Sequence, residues 1–293
     1  MAGLTAAVDE LTADREHGAS WMARRTVETL LEVSEQPFET SAELFDALMD
    51  AGRQLAESRP GVGAIAGAAG RVLATANANT FLEPDQLRQL VSEEGQSILQ
   101  GRERAAASIA IQLRDRLADQ VVMTHSASAT VHEALLYGSP KRAICTVSEP
   151  VGEGRAFAEE LRTQGLDVEL IEDVDGAKAL PEADLFLIGA DTVFHDGTLC
   201  NKIGTTTLAE AAQKQGVPTI VACEIIKLAP IDVASAPEQS EAERTLFEMT
   251  PPELLSEIVT EEGSVTPDEV GALIDRTPFL RDGYALLLPA NAV

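Results

Sequence analysis

No apolar run in this chain approaches the roughly 20 residues that a bilayer span needs. The amino end, MAGLTAAVDELTADRE, lacks a basic region followed by an apolar one. A soluble, cytoplasmic protein without membrane attachment is therefore expected. Cysteine is scarce: Cys145, Cys200 and Cys223 are odd in number and without metal-ligand spacing, which argues against a disulfide framework or a zinc site. Positive charge is also in short supply. The 293 residues carry 48 acidic and 22 basic side chains, a formal net charge of -26. A surface of that sign repels phosphate backbones, so no direct nucleic-acid binding is expected. The acid is spread along the chain, and only five of the basic residues are lysines, a pattern that implies adaptation to high salt, where self-repulsion is screened. No Gly-x-Gly-x-x-Gly follows the first strand-like run, which leaves a nicotinamide-dependent enzyme little support; Gly152-Glu153-Gly154 alone is weak evidence for a dinucleotide. No cofactor is expected.

With 45% hydrophobic residues the chain can bury a large core and has room for two domains. Residues 1–119 read as an N-terminal helical domain. Leu4, Val8 and Leu11 recur at helical spacing, and Thr40 with Glu43 forms a capping box before Leu44, Phe45, Leu48 and Leu55. Pro84 starts a helix carrying Leu87, Leu90, Val91 and Ile98, and a separate last helix runs through Ile109, Leu113 and Leu117. The small-residue stretches His17 to Ser20 and Arg59 to Gly63 read as helix connections. From Gln120 the period changes. Val121–Met123, Ala143–Val147, Val168–Ile171, Leu185–Ile188, Thr219–Cys223 and Ile258–Val259 alternate with helical segments, which implies parallel βαβ units. The expected class is α/β, with a Rossmann-like parallel-sheet domain over 120–293. Ala234 to Arg244 reads as an exposed acidic loop.

Candidate chemistry collects between Asp184 and Pro230. The strand Leu185–Ile188 ends at Gly189-Ala190-Asp191, placing one carboxylate at its carboxyl edge, and an Asp196-Gly197 hairpin turn follows. Asn201-Lys202-Ile203-Gly204-Thr205 is expected to open a helix, where free amides, the positive end of the dipole and a lysine would seat a phosphate. The strand Thr219–Cys223 delivers Glu224 and Lys227 at its own end, where open α/β sheets keep their ligands. A hydroxyl-rich turn, Thr124 to Thr130, is either a second anion site or a plain helix cap. An acid at Asp191 beside a phosphate suits proton transfer next to a carbonyl or hemiacetal carbon. Such chemistry needs a second acid or base. His125 is a candidate, although a lone histidine behind a strand is more often packed and hydrogen-bonded.

The succession Thr124-His125-Ser126-x-Ser128, Glu149-Pro150 to Gly154, Ile188-Gly189-Ala190-Asp191, Asn201 to Thr205, Ala222-x-Glu224-x-x-Lys227, Phe247 to Leu255 and Thr260 to Gly263 resembles one superfamily. It contains the alpha, beta and delta subunits of translation initiation factor 2B, archaeal ribose-1,5-bisphosphate isomerase and methylthioribose-1-phosphate isomerase. The resemblance covers essentially the whole chain and implies association into dimers or hexamers. It also implies Asp191 as a catalytic acid or base, with Ser126 standing where the isomerases carry their cysteine. The implied ligand groups are Gly18, Ala19, Arg59, Ser126, Ser128, Asn201, Lys202 and Lys227. The isomerases have arginine where this chain has His17, and a basic residue where it has Glu149. Two functions follow. One is a regulatory initiation-factor-2B-like subunit that binds a sugar phosphate or nucleotide without turnover, with translation initiation factor 2 as a partner. The other is an aldose-ketose isomerase acting on ribose 1,5-bisphosphate or a related pentose 1-phosphate, an intramolecular oxidoreductase.

Overall fold

Capping residues begin the helices of the first half, and leucines on one face hold them together. The computed structural model describes residues 2–288. Its first five helices are α1 (Ala2–Ala13), α2 (Ala19–Ser34), α3 (Ser41–Ser58), α4 (Gly63–Asn77) and α5 (Pro84–Leu117). Thr40 accepts the Glu43 amide and the Glu43 side chain accepts the Thr40 amide, so the expected capping box starts α3. Leu11, Leu30, Leu44, Leu48, Leu55, Leu73 and Leu87 are fully buried in one core. Each such side chain contributes about 1.5–3 kcal/mol relative to exposure.

The second half comprises β1 (Val121–Thr124), α6 (Ala129–Gly138), β2 (Arg142–Thr146), α7 (Gly154–Thr163), β3 (Val168–Ile171), α8 (Gly176–Ala179), β4 (Leu185–Ile188), β5 (Thr192–Phe194) and β6 (Leu199–Lys202). It continues with α9 (Thr205–Gln215), β7 (Thr219–Ala222), β8 (Leu228–Ala229), α10 (Glu241–Arg244), β9 (Phe247–Thr250), β10 (Glu257–Thr260), β11 (Gly263–Val265), α11 (Val270–Asp275) and α12 (Pro278–Leu287). The main sheet has the order β11-β10-β7-β4-β1-β2-β3 and is parallel except for the antiparallel edge pair β10–β11. The α/β class and all six apolar runs expected as strands are found in it.

Three features depart from expectation. The helices expected from Pro84 and through Ile109 are one helix of 34 residues. Gly101, near the expected break, has open space around its Cα; a single helical glycine costs about 1 kcal/mol, too little to end a helix packed at both ends. Val91 and Ile98 of α5 join the helical core, and Ile109, Leu113 and Leu117 join the core of the sheet. A second sheet, β8-β5-β6-β9, escaped notice apart from its Asp196-Gly197 hairpin, because its strands are short and those of the hairpin are buried on both faces, without alternation. Asn201 and Lys202 therefore end a strand, and α9 starts at Thr205, after Gly204 at φ 101. The stretch 234–244 contains α10 and delivers Glu243, only 2% exposed, into the interior.

Helix α4, GAIAGAAGRVLATAN, is rich in small residues because backbone approaches it on two sides. A Cβ on Gly67 would lie 1.9 Å from the Ile226 carbonyl oxygen, and one on Gly283 of α12 would lie 2.5 Å from the Gly70 carbonyl carbon. Among the described residues no helix is long and apolar enough to cross a membrane.

Candidate functional site

Strands β1, β2, β4 and β7 run parallel and end on one edge of the sheet, so the residues that follow them share one place. Opposite them stand the loop before α2 and Arg59 at the end of α3. Between lies a cavity of about 410 Å³, lined by Gly18, Ala19, Arg59, Ser126, Ser128, Asp191, Asn201, Lys202 and Lys227. The nine residues singled out from the sequence are thus brought together.

Its cations are not solvated surface groups: Arg59, Lys202 and Lys227 are 3%, 4% and 4% exposed. Arg59 Nη1 donates to the Asp14 carbonyl at 2.8 Å, and its guanidinium lies over the Phe247 ring and faces Glu243 at 3.9 Å. Its buried Nε, the atom that faces Glu243, has no hydrogen-bond partner among the described residues. Burial lowers the Arg59 pKa. Lys227 Nζ donates to the Ala190 carbonyl at 3.0 Å. Lys202 Nζ donates to Glu153 at 2.9 Å, and the other oxygen of the same carboxylate accepts the Ser126 hydroxyl at 2.7 Å. Ser126 is held at φ 67, its amide donating to the Ser148 hydroxyl at 2.7 Å. Asn201 Nδ2 donates to Thr205 Oγ1 at 3.0 Å, which fixes the end of β6 against the start of α9.

The phosphate seat expected at the start of α9 is not open. The Gly204 and Thr206 amides donate to Glu248 at 2.9 and 2.8 Å, so the chain supplies its own anion to that helix end. Two other helix starts do line the cavity. Helix α2 begins at Gly18 without a side-chain cap, and α6 begins at Ser128, whose own hydroxyl accepts the Val131 amide at 3.4 Å. First-turn amides have no intrahelical partner, and two such ends facing one cavity make an electropositive floor.

Asp191 is partly open to the cavity. Burial pushes its carboxyl up to about 6, with Lys227 and Arg59 pulling it down and Glu153 adding to the rise. A carboxyl in that range gives up or takes a proton near neutrality. His125 does not supply the partner. Its Nε2 lies 2.8 Å from the Ile203 carbonyl, which only accepts, so Nε2 carries the proton and Nδ1 accepts the Thr146 hydroxyl at 2.7 Å. Burial lowers its pKa, and both ring nitrogens are engaged.

Glu224 ties the two halves together beside this cavity. Its carboxylate accepts Ser20 Oγ at 3.3 Å, Thr130 Oγ1 at 3.4 Å and Arg102 Nε at 3.3 Å. Although burial raises its pKa, Lys227 and Arg102 more than offset this and leave it below the ordinary carboxylate range.

Four carboxylates at or near the site carry little signal in the sequence. Glu153 was visible only as part of a Gly-x-Gly. Glu243 was signalled by the capping box Ser240-x-x-Glu243, and besides facing Arg59 it accepts the Gly61 amide at 3.1 Å. Glu248 sits on short β9, and Asp14 holds His17 at 2.8 Å while that ring stacks on Trp21. Glu149, at the position where the isomerases are basic, is absent from the cavity wall; it lies 3.8 Å from Arg155 on the surface.

Comparison with known proteins identifies the family to which this helical half, parallel sheet and strand-end cavity belong. The chain belongs to the initiation factor 2 subunit family, whose model matches residues 15–241. It is 30% identical over 276 residues to a putative translation initiation factor eIF-2B subunit 2-like protein of Pyrococcus furiosus, covering 89% of this chain and 95% of that one. It is also 30% identical over 300 residues to ribose 1,5-bisphosphate isomerase of Haloterrigena turkmenica, covering 91% of each. Its fold matches the crystal structure of translation initiation factor eIF-2B of Pyrococcus horikoshii OT3 with a TM-score of 0.77 at 26% identity, over 90% of this chain and 97% of that one.

Proposed function

We propose that the chain is an initiation-factor-2B-like protein, of the alpha, beta and delta subunit type, whose cavity binds a phosphorylated sugar or nucleotide as a regulatory ligand. The observation that carries this reading is the burial of Arg59, Lys202 and Lys227 around one cavity at the strand ends. Each has a carboxylate of the chain near it, yet all three line one cavity that the starts of two helices also face, and that concentration of donors supports an anionic ligand. Serine at position 126 in place of a thiol favours binding without turnover, since an unperturbed thiol ionises near pH 8.5 and an aliphatic hydroxyl does not. Assembly into homodimers or hexamers, and contact with translation initiation factor 2, belong to the same proposal.

A second reading has its own observation. The Ser126 hydroxyl donates to Glu153, an adjacent base, and Asp191 titrates near neutrality. That pair supports an aldose-ketose isomerase on a pentose phosphate, with Asp191 moving one proton.

Thermal unfolding in high salt with ribose 1,5-bisphosphate, methylthioribose 1-phosphate, hexose 6-phosphates, AMP, GMP and NAD tests the pocket. At least one phosphorylated compound is expected to raise the Tm, by the equivalent of about 2.7 kcal/mol at 100 times its Kd. No shift with any of them overturns the proposal. Interconversion of ribose 1,5-bisphosphate and ribulose 1,5-bisphosphate at an enzyme-like rate replaces the regulatory reading with the isomerase.

A further inference from the structure

Each anion seat near this cavity has a definite state. The start of α9 is filled by Glu248. The seat between Lys202 and Ser126 is filled by Glu153, which meets the ammonium at 2.9 Å and the hydroxyl at 2.7 Å. Its position is fixed from behind. Glu153 directly precedes Gly154, where a Cβ would lie 1.9 Å from the Thr146 carbonyl oxygen, so the first turn of α7 is pressed against the end of β2. Its backbone carbonyl accepts the Phe157 amide at 3.1 Å. Ser126, at φ 67 with its amide donating to the Ser148 hydroxyl at 2.7 Å, has its backbone held beside that carboxylate. What stays open is the floor made by the starts of α2 and α6, with Arg59 and Lys227 nearby.

Charge points the same way. The cavity wall carries four basic and five acidic residues. Arg59 already faces Glu243, and Lys227 acts on both Asp191 and Glu224. One phosphate dianion can be met by the open floor, whereas a second would have to displace Glu153 from a buried lysine or sit beside its carboxylate.

Resting on the reading that the cavity takes a phosphorylated sugar or nucleotide, we propose that Glu153 determines its specificity, standing where a second phosphate would bind and restricting the cavity to ligands with a single phosphate group. The ligand class is then a pentose or nucleoside monophosphate, whose hydroxyls can donate to Asp191 and Glu153.

Calorimetric titration with pairs that differ by one phosphate tests this: ribose 1-phosphate and ribose 5-phosphate against ribose 1,5-bisphosphate, and AMP against adenosine 3′,5′-bisphosphate. Wild type is expected to bind the monophosphate of a pair at least about tenfold more tightly. In Glu153→Gln, which keeps the shape and removes the charge, that preference is expected to fall by about 10- to 100-fold, the effect of one nearby charge. Glu153→Ala, which vacates the seat as well, is expected to reverse it. Glu133→Gln, an exposed position outside the cavity, is the control for net charge and is expected to leave the ratio unchanged. A wild type that prefers the bisphosphate, a ratio unmoved in both Glu153 variants, or an equal change in the control overturns the proposal while leaving a phosphate pocket standing. If no phosphorylated probe binds any of the proteins, the reading of the pocket fails, and the proposal fails with it.

Discussion

Asp191→Asn is expected to melt higher than wild type near neutral pH and to have no isomerase turnover. The carboxyl titrates at about 6 in the fold against 3.8 in the unfolded chain, so ionising it is harder in the native state. A raised carboxyl contributes stability that is complete below about pH 4 and is lost as pH rises through about 6. The displacement corresponds to about 3 kcal/mol, and the opening of the side chain to the cavity reduces this to about 1–2 kcal/mol. Denaturant midpoints of the two proteins are therefore expected to coincide near pH 4 and to diverge up to about pH 7, with the variant the more stable. A gap independent of pH, or a less stable variant, rules out a strained carboxylate. If wild type converts a pentose phosphate, the variant is expected to lose at least about 100-fold in rate, the ordinary worth of a positioned acid or base. Unchanged turnover removes Asp191 from the chemistry.

Gly67→Ala is expected to lose more than about 3 kcal/mol of stability and the ligand-induced Tm shift together. The added carbon falls 1.9 Å from the Ile226 carbonyl oxygen, a backbone atom that no rotamer change can move away. Helix α4 must then retreat from the turn that carries Lys227, whose ammonium is fixed by the Ala190 carbonyl at 3.0 Å. Gly101→Ala is the matched control. Its surroundings are open, and the change is expected to stabilise α5 by about 0.5–1 kcal/mol. Chemical denaturation of both variants in high salt measures the pair. A Gly67→Ala protein as stable as wild type is incompatible with this packing.

The main sheet was legible because its strands are continuous apolar runs separated by helical segments, the pattern that burial on both faces produces. The convergence of Asp191 and Lys227 followed from the rule that parallel strands deliver their loops to one edge, whereas Lys202 arrives from the end of β6 in the second sheet. Other features had no local signal. Helix α4 has only Ile65, Val72 and Leu73 as large apolar residues, and the small residues between them meet the backbone of Ile226 and Gly283. The Asn201 to Thr205 segment carries the glycine and hydroxyls of a helix start, but the anion that caps it comes from Glu248, which reaches it through strand pairing between β6 and β9. Glu153 meets Lys202 across 49 residues of sequence, and only the fold brings them together.

Helix α5 spans about 50 Å at 1.5 Å per residue. One end is embedded in the helical core and the other in the core of the sheet, and Arg102, near its middle, is joined to Glu224. A rod gripped in this way leaves no hinge on which the halves could swing apart like a clamshell. The width of the cavity between the halves is therefore set by how firmly the two cores hold that rod.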